Sequence, residues 1–139
     1  MTYEILDHTA DVCVRVYGDS LEDFLRNAAL AMMDITVNRQ SVARLTQAEF
    51  TVKGETREEL LVRMLAEILY LHETEKMVFG DIVIDLAGGD EYILSAKLLG
   101  EKTDISRHEL ELDIKAVTYH GLNVEEVNDN FRADIVFDI

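Results

Sequence analysis

Two short stretches, one near each end of the chain, carry residue types that could bind a cation. The first is the sequence DHTAD, in which Asp7, His8 and Asp11 supply two carboxylates and an imidazole within five residues. It lies between the apolar runs 3–6 and 12–17, so we expect a polar corner between β-strands, with side chains presented at the end of a sheet. Such residues also form ordinary turns by binding local backbone N–H groups, so a purely structural corner is the alternative.

The second stretch is the alternating sequence NFRADIVFDI at 130–139, which predicts a β-strand. Its apolar residues fall on one face, and the sequence finishes with Asp138 and Ile139. We therefore expect a side-chain carboxylate and the terminal α-carboxylate to be held together by a buried anchor. If this end reached Asp11, three anionic groups would share one site, and such a cluster needs a cation or raised pKa values.

Length and charge limit the classes of function. A chain of 139 residues predicts one domain over 1–139 with a sizeable core. It has 28 acidic and 13 basic residues, a net charge of -15, which argues against direct binding to nucleic-acid phosphates. The acidity favours a hard cation, a basic protein partner or simple solubility.

Cysteine usage and hydropathy indicate the compartment. Cys13 is the single cysteine, so the sequence predicts no intramolecular disulfide and fits a reducing environment. It is flanked by valines, which favours a packed thiol over a nucleophile. No apolar run approaches the roughly 20 residues that span a bilayer, and the N-terminus lacks a signal pattern. We expect a cytoplasmic protein without a membrane partner.

Two helices are predicted to support these stretches. Ser20 is a candidate N-cap, and apolar residues at helical spacing continue from it to about Ile35. Thr56 and Glu59 have the capping-box pattern, and an apolar stripe follows over 60–71.

The remaining apolar segments predict β-strands, with a hairpin turn at 87–90. The predicted strands are 12–17, 49–53, 77–86, 92–98, 109–116 and 130–139. The pattern predicts an α+β fold of two layers: a mixed, mostly antiparallel sheet with the two main helices packed on one face.

Three motifs, in order, give the chain a resemblance to the archease family. They are HTAD at 8–11, KAVTYH at 115–120 and VFDI at 136–139. Cys13 departs from the family pattern, in which a small residue, often Gly, follows the Asp-Val pair.

The resemblance implies a non-enzymatic protein cofactor of an RtcB-type tRNA-splicing RNA ligase, one that promotes ligase guanylylation and multiple turnover and can broaden nucleotide use. It also implies a metal site at Asp11, Asp138 and Ile139, the last through main-chain oxygen. Oxygen ligands favour Ca²⁺, with Mg²⁺ or Mn²⁺ as alternatives. We expect four residues to shape or support this site: Asp7, His8, Lys115 and His120.

Two other functions remain open from the residues themselves. A metal held beside Asp7, His8 and Asp11 could activate water, as in a metal-dependent hydrolase, although no nucleophile, phosphate loop or Arg clamp accompanies these residues in the sequence. The acidic surface could instead serve a general chaperone-like modulator of RNA-processing enzymes.

Overall fold

A computed structural model of the chain describes residues 2–6 and 11–139. Within these residues, two α-helices combine with strands arranged in two antiparallel sheets. The elements in chain order are β1 (Tyr3–Leu6), β2 (Val12–Gly18), α1 (Leu21–Thr36), a 3₁₀ turn (Arg39–Ser41), β3 (Thr46–Gly54), α2 (Arg57–Thr74), β4 (Met77–Ala87), β5 (Tyr92–Lys102), β6 (Ala116–Val117), β7 (Glu125–Val127) and β8 (Asn130–Asp138). None of the described helices is long and apolar enough to cross a membrane.

Both helices begin at the predicted caps. The Ser20 hydroxyl accepts a hydrogen bond from the backbone N–H of Asp23 at 3.0 Å, and the Thr56 hydroxyl accepts one from the N–H of Glu59 at 3.1 Å. The Glu59 carboxylate accepts from the N–H of Glu55 at 3.1 Å, one residue before the position that the capping box predicts. Each cap satisfies helix N–H groups that have no intrahelical partner, so the start of each helix is fixed locally.

The larger sheet has the order β1-β2-β8-β6, and β7 also pairs with β8. Strand β8 lies inside this sheet, because β2 borders it on one side while β6 and β7 border it on the other. Its apolar face is buried: Ile135 and Phe137 are fully inaccessible to solvent. The end of β8 is therefore held by paired strands and by the core together.

The smaller sheet has the order β3-β5-β4 and includes the predicted hairpin. Helix α1 packs against β2 and β8 of the larger sheet and against β4 of the smaller one. Helix α2 packs mainly on the smaller sheet and also contacts β6. Side chains from both helices and both sheets form one apolar cluster, so the two sheets share a core through the helices.

The predicted strand at 109–116 is wrong in most of its length. Only its last residue, Ala116, belongs to a strand of the sheet, β6. Residues 109–113 are exposed. The backbone N–H groups of Glu111 and Leu112 bind the carbonyls of Thr36 and Ile35 at 2.9 and 3.1 Å. The segment therefore caps the C-terminal end of α1, where helix carbonyls lack intrahelical partners.

The α+β class is confirmed. The strands differ from the predicted single mixed sheet in being divided between two sheets, and every strand pairing among the described residues is antiparallel. The division follows from the helices, each of which contacts strands of both sheets instead of covering one face of one sheet.

Candidate functional site

The register of β2 and β8 brings the two motif-bearing ends of the chain together. Val12, the first residue of β2, pairs with Phe137 in an antiparallel ladder. Continuing this register by one residue sets Asp11 opposite Asp138, and Cα atoms of directly opposite residues lie about 4.5–5.5 Å apart. Asp138 is exposed and Asp11 is half-buried. We call the end of the sheet formed by Asp11, Asp138 and Ile139 the acidic tip.

The third strand at this end fixes the main chain of the tip. Ala116 of β6 pairs with Asp138, and the backbone N–H of Lys115 donates to the Asp138 carbonyl at 2.7 Å. Strand β6 then continues to Val117, opposite Phe137, so the chain moves away from the tip. His120 follows in an exposed turn, where its N–H donates to the Thr118 hydroxyl at 3.3 Å.

The predicted site residues therefore fall into three groups. Asp11, Asp138, Ile139 and Lys115 lie at one end of the larger sheet, and His120 lies in the turn after β6. Asp7 and His8 fall outside the described residues, so their predicted roles stay predictions.

The donor chemistry of the tip fits a hard cation. Asp11 and Asp138 offer carboxylate oxygens, and Ile139, which is 38% exposed, adds main-chain oxygen. Oxygen donors of this kind suit Ca²⁺, Mg²⁺ or Mn²⁺. Among the described residues, no three His, Cys, Asp or Glu side chains form a group that could hold a metal ion. From the described residues alone, a site here therefore needs main-chain oxygen as well as side chains.

A cross-strand ion pair lies farther along the same two strands. Arg15 donates to both carboxylate oxygens of its register partner Asp134, at 2.7 and 3.1 Å, and approaches Glu4 at 3.6 Å. The hydrogen bond from Arg15 holds the pKa of Asp134 below its ordinary value. Arg15 is four residues from Asp11, about 13 Å along an extended strand. The positive charge of Arg15 is therefore paired with Asp134 and Glu4 within the sheet and does not neutralise the acidic tip.

A second group of polar residues, which the sequence reasoning missed, is buried at the end of β5. Glu101 is 4% exposed and accepts hydrogen bonds from Arg107, from the Ala43 N–H at 2.6 Å and from His108 at 2.9 Å. The Nδ1 atom of His108 accepts from the Asp104 N–H at 2.9 Å, so its Nε2 carries the proton given to Glu101. We call Glu101, Arg107 and His108 the buried cluster.

The buried cluster strongly lowers the pKa of the Glu101 carboxyl group. Hydrogen bonds from Arg107, His108 and the Ala43 backbone lower the pKa of Glu101 from 4.5 to about 2. Every partner of Glu101 is supplied by the protein itself, and the group ties the 103–108 loop and Ala43 to the sheet. Its geometry indicates a structural role. No regular spacing marks it in the sequence, because Arg107 and His108 follow Glu101 by six and seven residues through a loop, and Ala43 is 58 residues away.

Comparison with known proteins identifies the family of the chain. A model of the Archease protein family (MTH1598/TM1083) matches residues 3–139. The chain therefore belongs to the archease family. Protein archease of Pyrococcus furiosus is 40% identical over 139 residues, covering 99% of this chain and 98% of that protein. Protein archease of Methanosarcina barkeri is 39% identical, with coverages of 99% and 95%.

Solved structures share the fold of this chain. The solution structure of Methanobacterium thermoautotrophicum protein 1598 matches with a TM-score of 0.88 and 29% identity, covering 99% of each chain. A crystal structure of an archease from Thermotoga maritima, described as a possible chaperone, matches with a TM-score of 0.63 and covers 98% of this chain and 96% of its own. Its identity is 22%, so this second match shows the fold alone.

Proposed function

We propose that this archease-family protein is a non-enzymatic cofactor of an RtcB-type RNA ligase, acting through a divalent cation at its acidic tip. It promotes guanylylation of the ligase and supports repeated turnover. The observation that carries the proposal is the pairing of Val12 with Phe137, which sets Asp11 opposite Asp138 at the end of an internal strand. Membership of the archease family, which the motifs at both chain ends had indicated, supports the same role.

In this proposal the cation is held by the side chains of Asp11 and Asp138 and by main-chain oxygen of Ile139. Ca²⁺ fits this donor set best, because it accepts carboxylate and carbonyl oxygens in flexible numbers; Mg²⁺ and Mn²⁺ are the alternatives. When bound, the cation supplies a positive charge that can stabilise phosphate oxygens. The protein keeps the ligands in place through strand pairing on both sides of Asp138.

Charge supports a protein partner over a nucleic acid. The chain has a net charge of -15, so phosphates are repelled while a basic cleft on a ligase is attracted. We place the activity in the cytoplasm, because Cys13 is the single cysteine of the sequence and is a buried free thiol, as suits a reducing compartment.

The test is a ligase turnover assay with the wild type, Asp11→Asn and Asp138→Asn. Each substitution removes one negative charge at the tip with little change in shape, and we expect stimulation to fall at least about tenfold. Asp90→Asn, the same change at an exposed hairpin residue of the smaller sheet, is the matched control and keeps full stimulation. Absence of stimulation by the wild type would reject the proposal.

The same samples separate the two other functions. Nucleotide or phosphoester hydrolysis by the purified protein alone, lost in Asp11→Asn, would favour a hydrolase. A general chaperone-like action of the acidic surface predicts equal damage from Asp90→Asn and Asp138→Asn. Only the proposed tip predicts loss confined to Asp11 and Asp138.

A further inference from the structure

An apolar groove opens beside the acidic tip, between the edge of the larger sheet and the C-terminal end of α1. One wall is formed by Tyr3, Ile5 and Val12, and the other by Ile35 and Leu112, around a volume of about 240 Å³. Val12, the first residue of β2, directly follows Asp11, so the groove and the tip adjoin in the sequence.

Apolar side chains in the groove are unusually accessible. Ile5 is 64% exposed and Leu112 is 44% exposed. Ile5 pairs in register with Val14, which is fully buried on the face that packs against α1, so the apolar surface of the sheet continues beyond the helix. Adjacent apolar side chains left open to water are typical of a surface that binds a partner.

The rim of the groove is acidic. Glu111 lines it and is exposed, and Glu109 and Asp113, two residues before and after Glu111, are exposed outside the lining of the groove. Asp34 at the inner end bonds Arg39 at 2.7 Å and the Tyr3 hydroxyl at 2.9 Å, so its charge is balanced within the protein. The C-terminal end of α1 also lies here with no basic residue in its last turn, and its dipole adds negative potential.

We propose that this groove is the docking site for an extended segment of the partner protein that carries one or two large apolar side chains flanked by Lys or Arg. The apolar walls bury the large side chain, and Glu111 on the rim, together with the exposed neighbours Glu109 and Asp113, pairs with the flanking cations. The identity of the partner, an RNA ligase, rests on the proposed function. The docking site itself is argued from the groove and is independent of that function. The groove and the acidic tip lie at the same end of β2, within reach of a single partner.

The first test measures the affinity of a labelled RtcB-type ligase separately from its turnover. We expect Ile5→Ser and Leu112→Ser each to weaken binding at least about tenfold, because each removes an apolar contact from a desolvated interface. Stimulation at saturating concentration stays near the wild-type value. Asp138→Asn gives the opposite pattern, with lost stimulation and little change in affinity.

Matched controls come from exposed apolar residues elsewhere. Ile105→Ser and Leu45→Ser make the same chemical changes at positions that are 82% and 75% exposed and outside the groove. We expect both to bind the ligase like the wild type, and circular dichroism to show all four variants folded. Ligase affinity that is unchanged in Ile5→Ser and Leu112→Ser would overturn the docking site while leaving the tip proposal standing.

A second test examines docking in the groove without the ligase. It is needed if the wild type does not bind the ligase at all, a result that would reject the proposed function. A capped peptide of sequence Lys-Phe-Lys-Leu-Lys is titrated into the ¹⁵N-labelled protein. We expect amide shifts centred on Ile5, Val12 and Leu112 that disappear in Leu112→Ser. A Glu-Phe-Glu-Leu-Glu peptide should not bind. Shifts spread over the acidic surface, or none, would overturn the inference.

Discussion

The acidic tip and the buried cluster are two ways of holding a carboxylate at the end of a sheet. Glu101 is almost fully buried and receives hydrogen bonds from Arg107, His108 and a backbone N–H. Asp138 is exposed at the end of β8, and its main chain, bound by Lys115, is fixed. The first arrangement uses the carboxylate to join parts of the chain, whereas the second turns it towards solvent.

Stability is expected to depend on the buried cluster, and function on the acidic tip. A buried carboxylate is tolerated only when its partners are complete, so removing a partner leaves a desolvated polar group and costs stability. A carboxylate at an exposed strand end contributes little to folding, and its removal should alter cation binding, and the stimulation that depends on the cation, without unfolding the protein. Substitutions at the two sites should therefore separate folding from activity.

The largest expected effect on folding is from His108→Ala. It removes the donor to Glu101 and the acceptor for the Asp104 N–H, which leaves buried polar groups without partners. We expect the free energy of unfolding to fall by about 2–4 kcal/mol in urea titrations. His120→Ala, at the exposed histidine, should change it by less than about 0.5 kcal/mol. Equal effects of the two substitutions would contradict the assignment of the buried cluster.

Next in size is stabilisation by Ca²⁺ at the acidic tip. A ligand that binds only the folded state raises stability, by about 2.7 kcal/mol at a hundredfold excess over its Kd. We expect Ca²⁺ to raise the unfolding midpoint of the wild type in calorimetry, and EDTA to reverse the change. Asp138→Asn should lose the response, whereas His108→Ala should retain it at a lower midpoint. A response retained in Asp138→Asn would exclude this residue as a ligand.

The next effect is expected in the acid dependence of stability. The pKa of Glu101 is about 2 in the folded protein and 4.5 ordinarily, so between these values the unfolded state binds more protons. Its contribution is complete above pH 4.5 and is lost as the pH falls through 2. Urea titrations from pH 7 to pH 2 should show the wild type approaching Glu101→Gln in stability below pH 4.5. A constant difference between the two across that range would disprove the linkage.

The smallest effect is expected from Arg15→Gln, which breaks the ion pair with Asp134. The two side chains are 34% and 41% exposed, and pairs at such positions contribute little and are screened by salt. The destabilisation, followed by thermal unfolding, should be below that of His108→Ala and should shrink further in 1 M NaCl. The His108→Ala difference should persist in that salt. An Arg15→Gln effect that is insensitive to salt would mean that packing of the Arg15 stem dominates.

Much of the fold could be predicted because its signals are local. Ser20 and Thr56 cap helices through residues three positions away, and the alternation of β8 gives a strand with one buried face. The prediction of a strand at 109–116 was wrong because alternating apolar and charged residues are also the pattern of a half-buried strand. The N–H groups of this segment are instead taken by the carbonyls of Ile35 and Thr36, more than 70 residues earlier.

Part of the candidate site could likewise be predicted from the sequence, and part could not. The juxtaposition of Asp11 and Asp138 was expected from motifs at both ends of the chain, and the strand register agrees with it. The groove could not be foreseen, because Ile5 and Leu112 come together only through the packing of α1 against the larger sheet. Likewise, the partners of Glu101 come from a loop and from Ala43. No regular spacing in the sequence indicates that these residues meet.

The way in which residues 109–113 are attached has a practical consequence for redesign. Their main-chain groups bind Ile35, Thr36 and Asn38, while their side chains are exposed. The path of this segment is thus set by atoms that every amino acid except proline shares. Side chains here can be exchanged to retune recognition without rebuilding the scaffold, and slow amide hydrogen exchange at Glu111 and Leu112 would verify that the path survives each exchange.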